Sequence, residues 1–221
     1  MNVEEAIVGR YSCRAYLDRP VPREVLEKVI DTARWSPSGA NIQPWQVAVV
    51  QGETRKRLSE RLIETFDRGV KPVPDYQYYP REWPEPYRER RFQCGMALYQ
   101  ALGIERDDKA RRLEAWKDNY RFFGAPVALF FFLDRVMEQG SWLDMGMFIQ
   151  AVMLAAREQG LETCPQASTA DYPDVVREIL ELDDSHLLLC GMAMGYSDPG
   201  QPVNNYRTDR EPVEGFTRWF D

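Results

Sequence analysis

Apolar residues follow two periods along this chain, and the switches between them lay out its elements. Val3, Ala6 and Ile7 line one face of a short stretch opened by Asn2, with Glu5 placed to complete a capping box and Gly9 marking the end. Pro22 suits the first turn of a second helix, and Val25, Leu26, Val29, Ile30 and Ala33 recur at helical spacing to about Arg34. The same period predicts a charged amphipathic helix from about Thr54 to Arg68. It also predicts an apolar helix over Ser141–Glu158, with Met145, Phe148, Ile149, Val152, Met153 and Ala156 on a wide buried face and Gly160 as terminator. Weaker patterns predict helices at about Pro86–Leu102 and Asp107–Tyr120, and one capped by Asp171 that runs to about Leu182. Three runs are apolar almost without alternation: Trp45–Val50, Pro126–Leu133 and Leu187–Met194. They read as buried strands, with 126–133 central in its sheet. A short extended stretch after Gly160 reaches Pro165.

Three or four strands among six or more helices, with strands joined through helices, give a single α+β layered domain over residues 1–221. A dinucleotide-binding Rossmann fold would carry G-x-G-x-x-G after its first strand, and none is present. Gly191 and Gly195 fall inside an apolar strand and read as packing positions. Composition shifts twice. Lys71–Pro86 holds five prolines with Tyr76, Tyr78, Tyr79 and Trp83, the profile of an irregular aromatic loop. From Ser197 the chain is polar and proline-punctuated, yet it ends on Phe216, Trp219 and Phe220.

Hydrophobic content of 44% and charged content of 29% are those of an ordinary soluble globular protein. The net charge of −7 argues against nucleic acid as a partner, because phosphate contacts need a basic face. Four scattered cysteines and one histidine fit neither the usual zinc spacings nor a disulfide framework. No apolar run approaches a membrane span or an export signal, so a reduced, cytoplasmic setting is expected.

Chemistry concentrates in four segments. Arg10, Ser12 and Arg14 place two guanidiniums and a hydroxyl within five residues, an anion-binding cluster, because Arg makes forked, charge-assisted bonds to phosphate oxygens. The plain alternative is a solvated basic turn. Ser36–Trp45 combines Pro37, Ser38 and Gly39, which let a flat ligand approach the backbone, with the two-way hydrogen bonders Asn41 and Gln43. It also reads simply as a helix exit and turn, and Gln43-Pro44-Trp45 orients the strand that follows. Thr163–Ser168 is otherwise a loop, and Asn204–Pro212, with Arg207 and Arg210, a charged tail. Cys164, among apolar neighbours and without a partner cysteine, does not read as a redox thiol. His186 reads as a packed residue, since no nucleophile–histidine pair can be assembled around it.

The four segments, in this order and spacing, resemble the FMN-dependent nitroreductase family over nearly the whole chain. The Tyr76-Gln77-Tyr78-Tyr79-Pro80 and Glu85-Pro86-Tyr87-Arg88-Glu89-Arg90-Arg91 pattern looks like the nitrobenzoate-reductase branch. The resemblance implies a three-layer α+β fold with a mostly antiparallel central sheet, and a C-terminal arm (197–221) exchanged with a second subunit. It implies that Arg10 and Ser12 contact the phosphate and ribityl chain, and that Arg14 sets a cation beside the flavin pyrimidine ring, where it stabilises the reduced anion. Pro37, Ser38, Gly39 and Asn41 would reach the flavin from the other subunit. Pro165, Gln166 and Ala167 would approach flavin N(5), with Gln166 or Ala167 as backbone donor because proline lacks an N–H. Many relatives carry an acidic residue after that proline where this chain has Gln166-Ala167. Arg210 would close the phosphate site, with Arg207 compensating for Thr208, a position where relatives often have a basic residue.

The implied activity is ping-pong reduction of nitroaromatic or quinone-type acceptors by NADH or NADPH in a homodimer with shared flavin sites. Reductive dehalogenation or flavin breakdown on the same fold, favoured by a hydroxyl from Thr163 or Ser168 at N(5), is an alternative, as is non-enzymatic flavin binding. The 71–91 region is read as a lid: its aromatics would sandwich an electron-poor ring, and Arg81, Arg88, Arg90 or Arg91 would hold a carboxylate or nitro oxygen. The plain reading packs those aromatics on the surface and pairs the arginines with Glu82, Glu85 and Glu89.

Overall fold

The computed structural model describes residues 1–221. Helix α1 (Val3–Gly9) opens with both bonds of the expected capping box: Asn2 accepts from the Glu5 N–H, and Glu5 from the Asn2 N–H. Next come α2 (Arg23–Ala33), strand β1 (Trp45–Gln51) and α3 (Gly52–Asp67). After the 70–86 loop the chain forms α4 (Tyr87–Ala101), α5 (Lys109–Lys117), β2 (Val127–Asp134) and α6 (Gln139–Glu158). It closes with β3 (Glu162–Gln166), α7 (Pro173–Leu180) and β4 (His186–Gly195).

The four strands form one sheet in the order β1-β2-β4-β3, with every neighbouring pair antiparallel. Alternation along β2 divides the core into two faces. Val127, Leu129, Phe131 and Leu133 pack with Leu26, Val29, Met145, Phe148 and Val152 of α2 and α6. Ala128, Phe130 and Phe132 pack with Leu58 and Leu62 of α3 and Val175 and Val176 of α7. Two helical layers sandwich a sheet, as expected, and β2 is buried on both faces because it must satisfy both cores. Gly191 and Gly195 are packing positions: an added Cβ would lie 2.5 Å from Thr169 Oγ1 in the first case and 2.6 Å from Pro126 Cδ in the second.

Three expectations need correction. β1 is an edge strand and only Val50 is buried in it, because in this chain it has a partner on one side alone; Trp45 instead stacks on Phe148 at 4.8 Å. Asp171 does not cap a helix. It ends a 3₁₀ turn (Ala167–Asp171), and α7 starts two residues later on Pro173, whose missing N–H needs no cap. The helix expected over Asp107–Tyr120 is shorter, since the chain tightens after Lys117 into a turn with Phe122 and Phe123 at positive φ.

The 71–91 segment is irregular up to α4, but its first part is fastened to the sheet. Asp75, with its side chain 8% exposed, accepts from Arg177 at 2.5 Å, Arg135 at 2.9 Å and the Leu188 N–H at 2.8 Å. Burial opposes the charge on Asp75, but these donors hold its carboxyl below the ordinary range. A register shift between β2 and β4 at Phe131/Phe132 leaves Leu189 without a ladder partner, and its carbonyl accepts from Tyr76 Oη at 2.6 Å. After Tyr76 the loop makes no further hydrogen bond to the sheet; Tyr78 packs on Tyr76 and Tyr79, and Tyr79 on Trp83.

Candidate active site

The segment after α1 does not stay on the surface. Ser12 forms a parallel bridge with Thr163, and the Cys13 N–H donates to the Thr163 carbonyl at 3.0 Å, so residues 10–14 extend the sheet at the free edge of β3. Asn204, 3% exposed, fixes the other side: its amide donates to the carbonyls of Ala15 at 2.8 Å and Asp198 at 2.9 Å, and its Oδ1 accepts from the Arg14 N–H at 2.9 Å. That one side chain ties the C-terminal segment to the N-terminal one.

The result is a bay of about 640 Å³ lined by Arg10, Ser12, Arg14, Arg207 and Arg210, with Tyr206 and Gln150 beside them and no carboxylate in its wall. Arg14 Nη1 donates to Tyr206 Oη at 3.0 Å and to the Ser12 carbonyl at 3.3 Å. Arg207 lies over the Tyr11 ring at 4.0 Å and donates to the Asn204 carbonyl at 2.9 Å; Arg210 donates to the Thr208 hydroxyl at 2.8 Å. Burial, then the charge of Arg210, lowers the Arg10 guanidinium from its ordinary value. Four cations so arranged repel one another, and a dianion relieves that repulsion. Behind the bay, Glu162 pairs with Arg157; burial raises the Glu162 carboxyl although the arginines pull it down.

Arg14 also lines a second cavity of about 440 Å³, whose wall carries Pro165, Gln166, Ala167 and Ser168 together with Tyr76, Tyr78, Tyr79 and Arg91. The β3 exit and the aromatic loop therefore meet around one space. Thr163 Oγ1, Gln166 Oε1 and Ser168 Oγ are buried there or just behind without a hydrogen-bond partner, although the Gln166 amide donates to Asn119 at 2.7 Å. Buried polar atoms are normally paired, so Gln166 Oε1 and Ser168 Oγ, in residues that line this cavity, are available to a polar ligand. The cavity also holds Asp171, whose carboxyl burial pushes up to about 6 while Tyr120 pulls it down.

Pro37, Ser38, Gly39 and Asn41 line neither space in this chain. They form an exposed, strained turn: Ala40, Asn41 and Gln43 all have positive φ, which non-glycine residues seldom adopt. Asp144 holds it, its carboxylate accepting from the Gly39 N–H at 3.2 Å, while Ser38 Oγ accepts from the Gln43 N–H at 2.9 Å. Asp144, Asn204 and Tyr206 are site-supporting residues that the sequence reading passed over. Asp144 had a signal, as the one charged residue among the buried positions of α6. Asn204 and Tyr206 lay inside a recognised segment, but nothing in their type separated them from neighbouring polar residues.

Cys164 is 2% exposed, and burial pushes its thiol up to about 11, so it stays protonated near neutrality. His186 starts β4, hydrogen-bonded through Nδ1 to Ser185 at 2.7 Å, and lines neither the arginine bay nor the cavity beside the β3 exit.

A sheet core flanked by helices, with an arginine bay on its edge and an adjoining aromatic cavity, makes this an α+β protein whose cationic bay suits an anion. Residues 7–196 match the nitroreductase family model, and the chain belongs to that family. It is 39% identical over 220 residues to 4-nitrobenzoate reductase of Pseudomonas putida, covering 99% of this chain and 96% of that protein. It is 36% identical to chloronitrobenzene nitroreductase of Comamonas testosteroni, covering 97% and 95%. A crystal structure of NfnB from Sphigopyxis sp. strain HMH, an FMN- and NADPH-dependent nitroreductase, superposes over all of both chains with a TM-score of 0.97 at 41% identity.

Proposed function

We propose that this protein is an FMN-dependent oxidoreductase that reduces nitroaromatic or quinone-type acceptors with NADPH or NADH in ping-pong order. The observation that carries the reading is the position of Arg14, which lines both the arginine bay and the cavity beside the β3 exit. A phosphate anchor and an aromatic reaction space lie on either side of one cation. The residues present fit FMN on two counts: a carboxylate-free bay of four arginines for its phosphate, and unpaired buried polar atoms on the β3 side for its ring. Bound FMN would supply hydride acceptance and return, chemistry that the side chains lack.

Arg10, Ser12, Arg207 and Arg210 then hold the phosphate through charge-assisted hydrogen bonds. Arg14, braced by Tyr206 and by the Asn204 bond to its own N–H, keeps a positive charge at the junction. The backbone of Gln166 or Ala167 offers an N–H at the end of β3. Tyr78 and Tyr79 wall the reaction space and limit entry to flat molecules. Pro37, Ser38, Gly39 and Asn41 serve the site of a second subunit, which accounts for a strained, exposed turn supported by a buried carboxylate. A homodimer with shared sites, working in the cytoplasm, is part of the proposal; no helix is long and apolar enough to cross a membrane.

Anaerobic stopped-flow on the purified yellow protein tests it. NADPH or NADH should bleach the flavin, and a nitroarene or quinone added afterwards should restore the colour. A flavin that neither donor bleaches would leave a binding protein in place of an enzyme.

A further inference from the structure

A third cavity, of about 700 Å³, lies between α4, α5 and the turn at Phe123, and it also reaches Arg14. Its wall contains five arginines, Arg14, Arg88, Arg91, Arg106 and Arg112, in a chain whose net charge is −7. Arg88 is paired with Glu85. Asp118, the one carboxylate in the wall, is bound to Arg121 at 2.9 Å. The other four arginines have no carboxylate within 4.0 Å. Three rest on aromatic rings: Arg112 on Tyr99 at 4.5 Å, Arg91 on Trp83 at 5.3 Å and Arg106 on Phe92 at 6.0 Å. Arg112 Nη1 also donates to the Arg106 backbone carbonyl at 3.0 Å, which ties the Arg112 side chain to the chain segment that carries Arg106. A guanidinium stacked on a ring leaves its in-plane donors accessible: Arg91 and Arg106 use none of theirs, and Arg112 uses only Nη1, so the wall keeps oriented donors for an anion. Tyr99 and Trp116 add flat apolar surface to the same cavity.

We infer that this cavity binds the phosphorylated adenosine end of the nicotinamide donor, with Arg106 and Arg112 reading the 2′-phosphate that distinguishes NADPH from NADH. The inference rests on the flavin-enzyme reading above. Size favours a nucleotide, because a single-ring acceptor would leave most of 700 Å³ empty. Placement favours it too: the same cavity is lined by Arg14, where the nicotinamide must react, and by Arg106 just before α5 and Arg112 within it. Multiple unpaired cations suit a ligand with several phosphates better than one carboxylate.

The test is calorimetric titration of the FMN-loaded protein with adenosine 2′,5′-bisphosphate and, separately, adenosine 5′-monophosphate. The bisphosphate should bind at least about tenfold more tightly, since one charge-assisted fork accounts for roughly that factor. Arg112→Gln and Arg106→Gln should each erase most of that margin and lower the kcat/KM preference for NADPH over NADH. Flavin content and near-ultraviolet circular dichroism establish that each variant is folded, and two separate variants guard against one failing to fold. Equal binding of the two nucleotides, or variants that discriminate like the parent, overturns the inference. A higher KM for 4-nitrobenzoate with nucleotide binding unchanged overturns it as well and gives the cavity to an acceptor's carboxylate. A protein that takes up no FMN would sink the flavin reading, whereas a yellow protein blind to the 2′-phosphate sinks this one alone.

Discussion

Arg210 and Asp171 illustrate opposite uses of charge at single positions. Arg210 adds a cation where cations already crowd, raising the electrostatic tension that an incoming phosphate releases. Arg210→Ala should weaken FMN binding by about 1.5–3 kcal/mol, the worth of a hydrogen bond to a charged group. Titration of the apoprotein with FMN measures this, and an unchanged affinity would transfer the role to Arg207. Asp171 is penalised by burial, which lifts its carboxyl from 3.8 to about 6. A raised acid contributes stability that is full below its unfolded value and is lost as pH rises through the folded value, here between about 4 and 6. Asp171→Asn should therefore gain on the parent above about pH 6, by on the order of 1–2 kcal/mol, with little difference near pH 4. Asp75→Asn should do the reverse. Its carboxyl is depressed by Arg177, Arg135 and the Leu188 N–H, so its stabilisation exists above the ordinary carboxylate range and fades as pH falls. Urea unfolding midpoints decide both signs, compared with the parent at about pH 4 and pH 8 for Asp171→Asn and at about pH 3 and pH 8 for Asp75→Asn.

Among the elements, the loop before α4 has two parts with different work. Asp75 and Tyr76 bond to the bulged region of β4, while Tyr78 and Tyr79 face the cavity beside the β3 exit. Shortening from Val73 would remove the anchors along with the wall, so the informative deletion lies within 77–83. It should raise the Michaelis constant for aromatic acceptors and leave flavin reduction by the nicotinamide donor nearly unchanged. A parallel fall in both half-reactions would make the loop scaffolding. Periodicity and caps had already located nearly every helix and strand, because α2, α6 and β2 bury whole faces whose spacing is written in residue type. The bond between Asn204 and Arg14 spans 190 positions, and no local pattern encodes such a closure. The same limit explains the miscast Asp171: its type suits an N-cap, and its burial beside Tyr120, set by tertiary packing, overrode that preference.

For the whole molecule, the unanswered burial lies at the end of the chain. Phe216, Trp219 and Phe220 are 70%, 80% and 89% exposed, and Trp35, Leu143 and Met147 are also open on the same single chain. Apolar side chains of this size gain about 1.5–3 kcal/mol each when covered, so a terminus carrying three of them favours a partner surface. Pro37, Ser38, Gly39 and Asn41 likewise stand apart from the bay of this chain, as they would if they serve the site of a second copy. If arm and turn both belong to a second copy, association and flavin binding are one event. Deleting Pro212–Asp221, which leaves Arg207 and Arg210 in place, should then abolish the dimer and the bound FMN together. Sedimentation velocity recorded at flavin and protein wavelengths reads both at once. A truncated protein sedimenting as a flavin-loaded monomer would show that each chain builds its own site and that the aromatic arm serves something other than dimerisation.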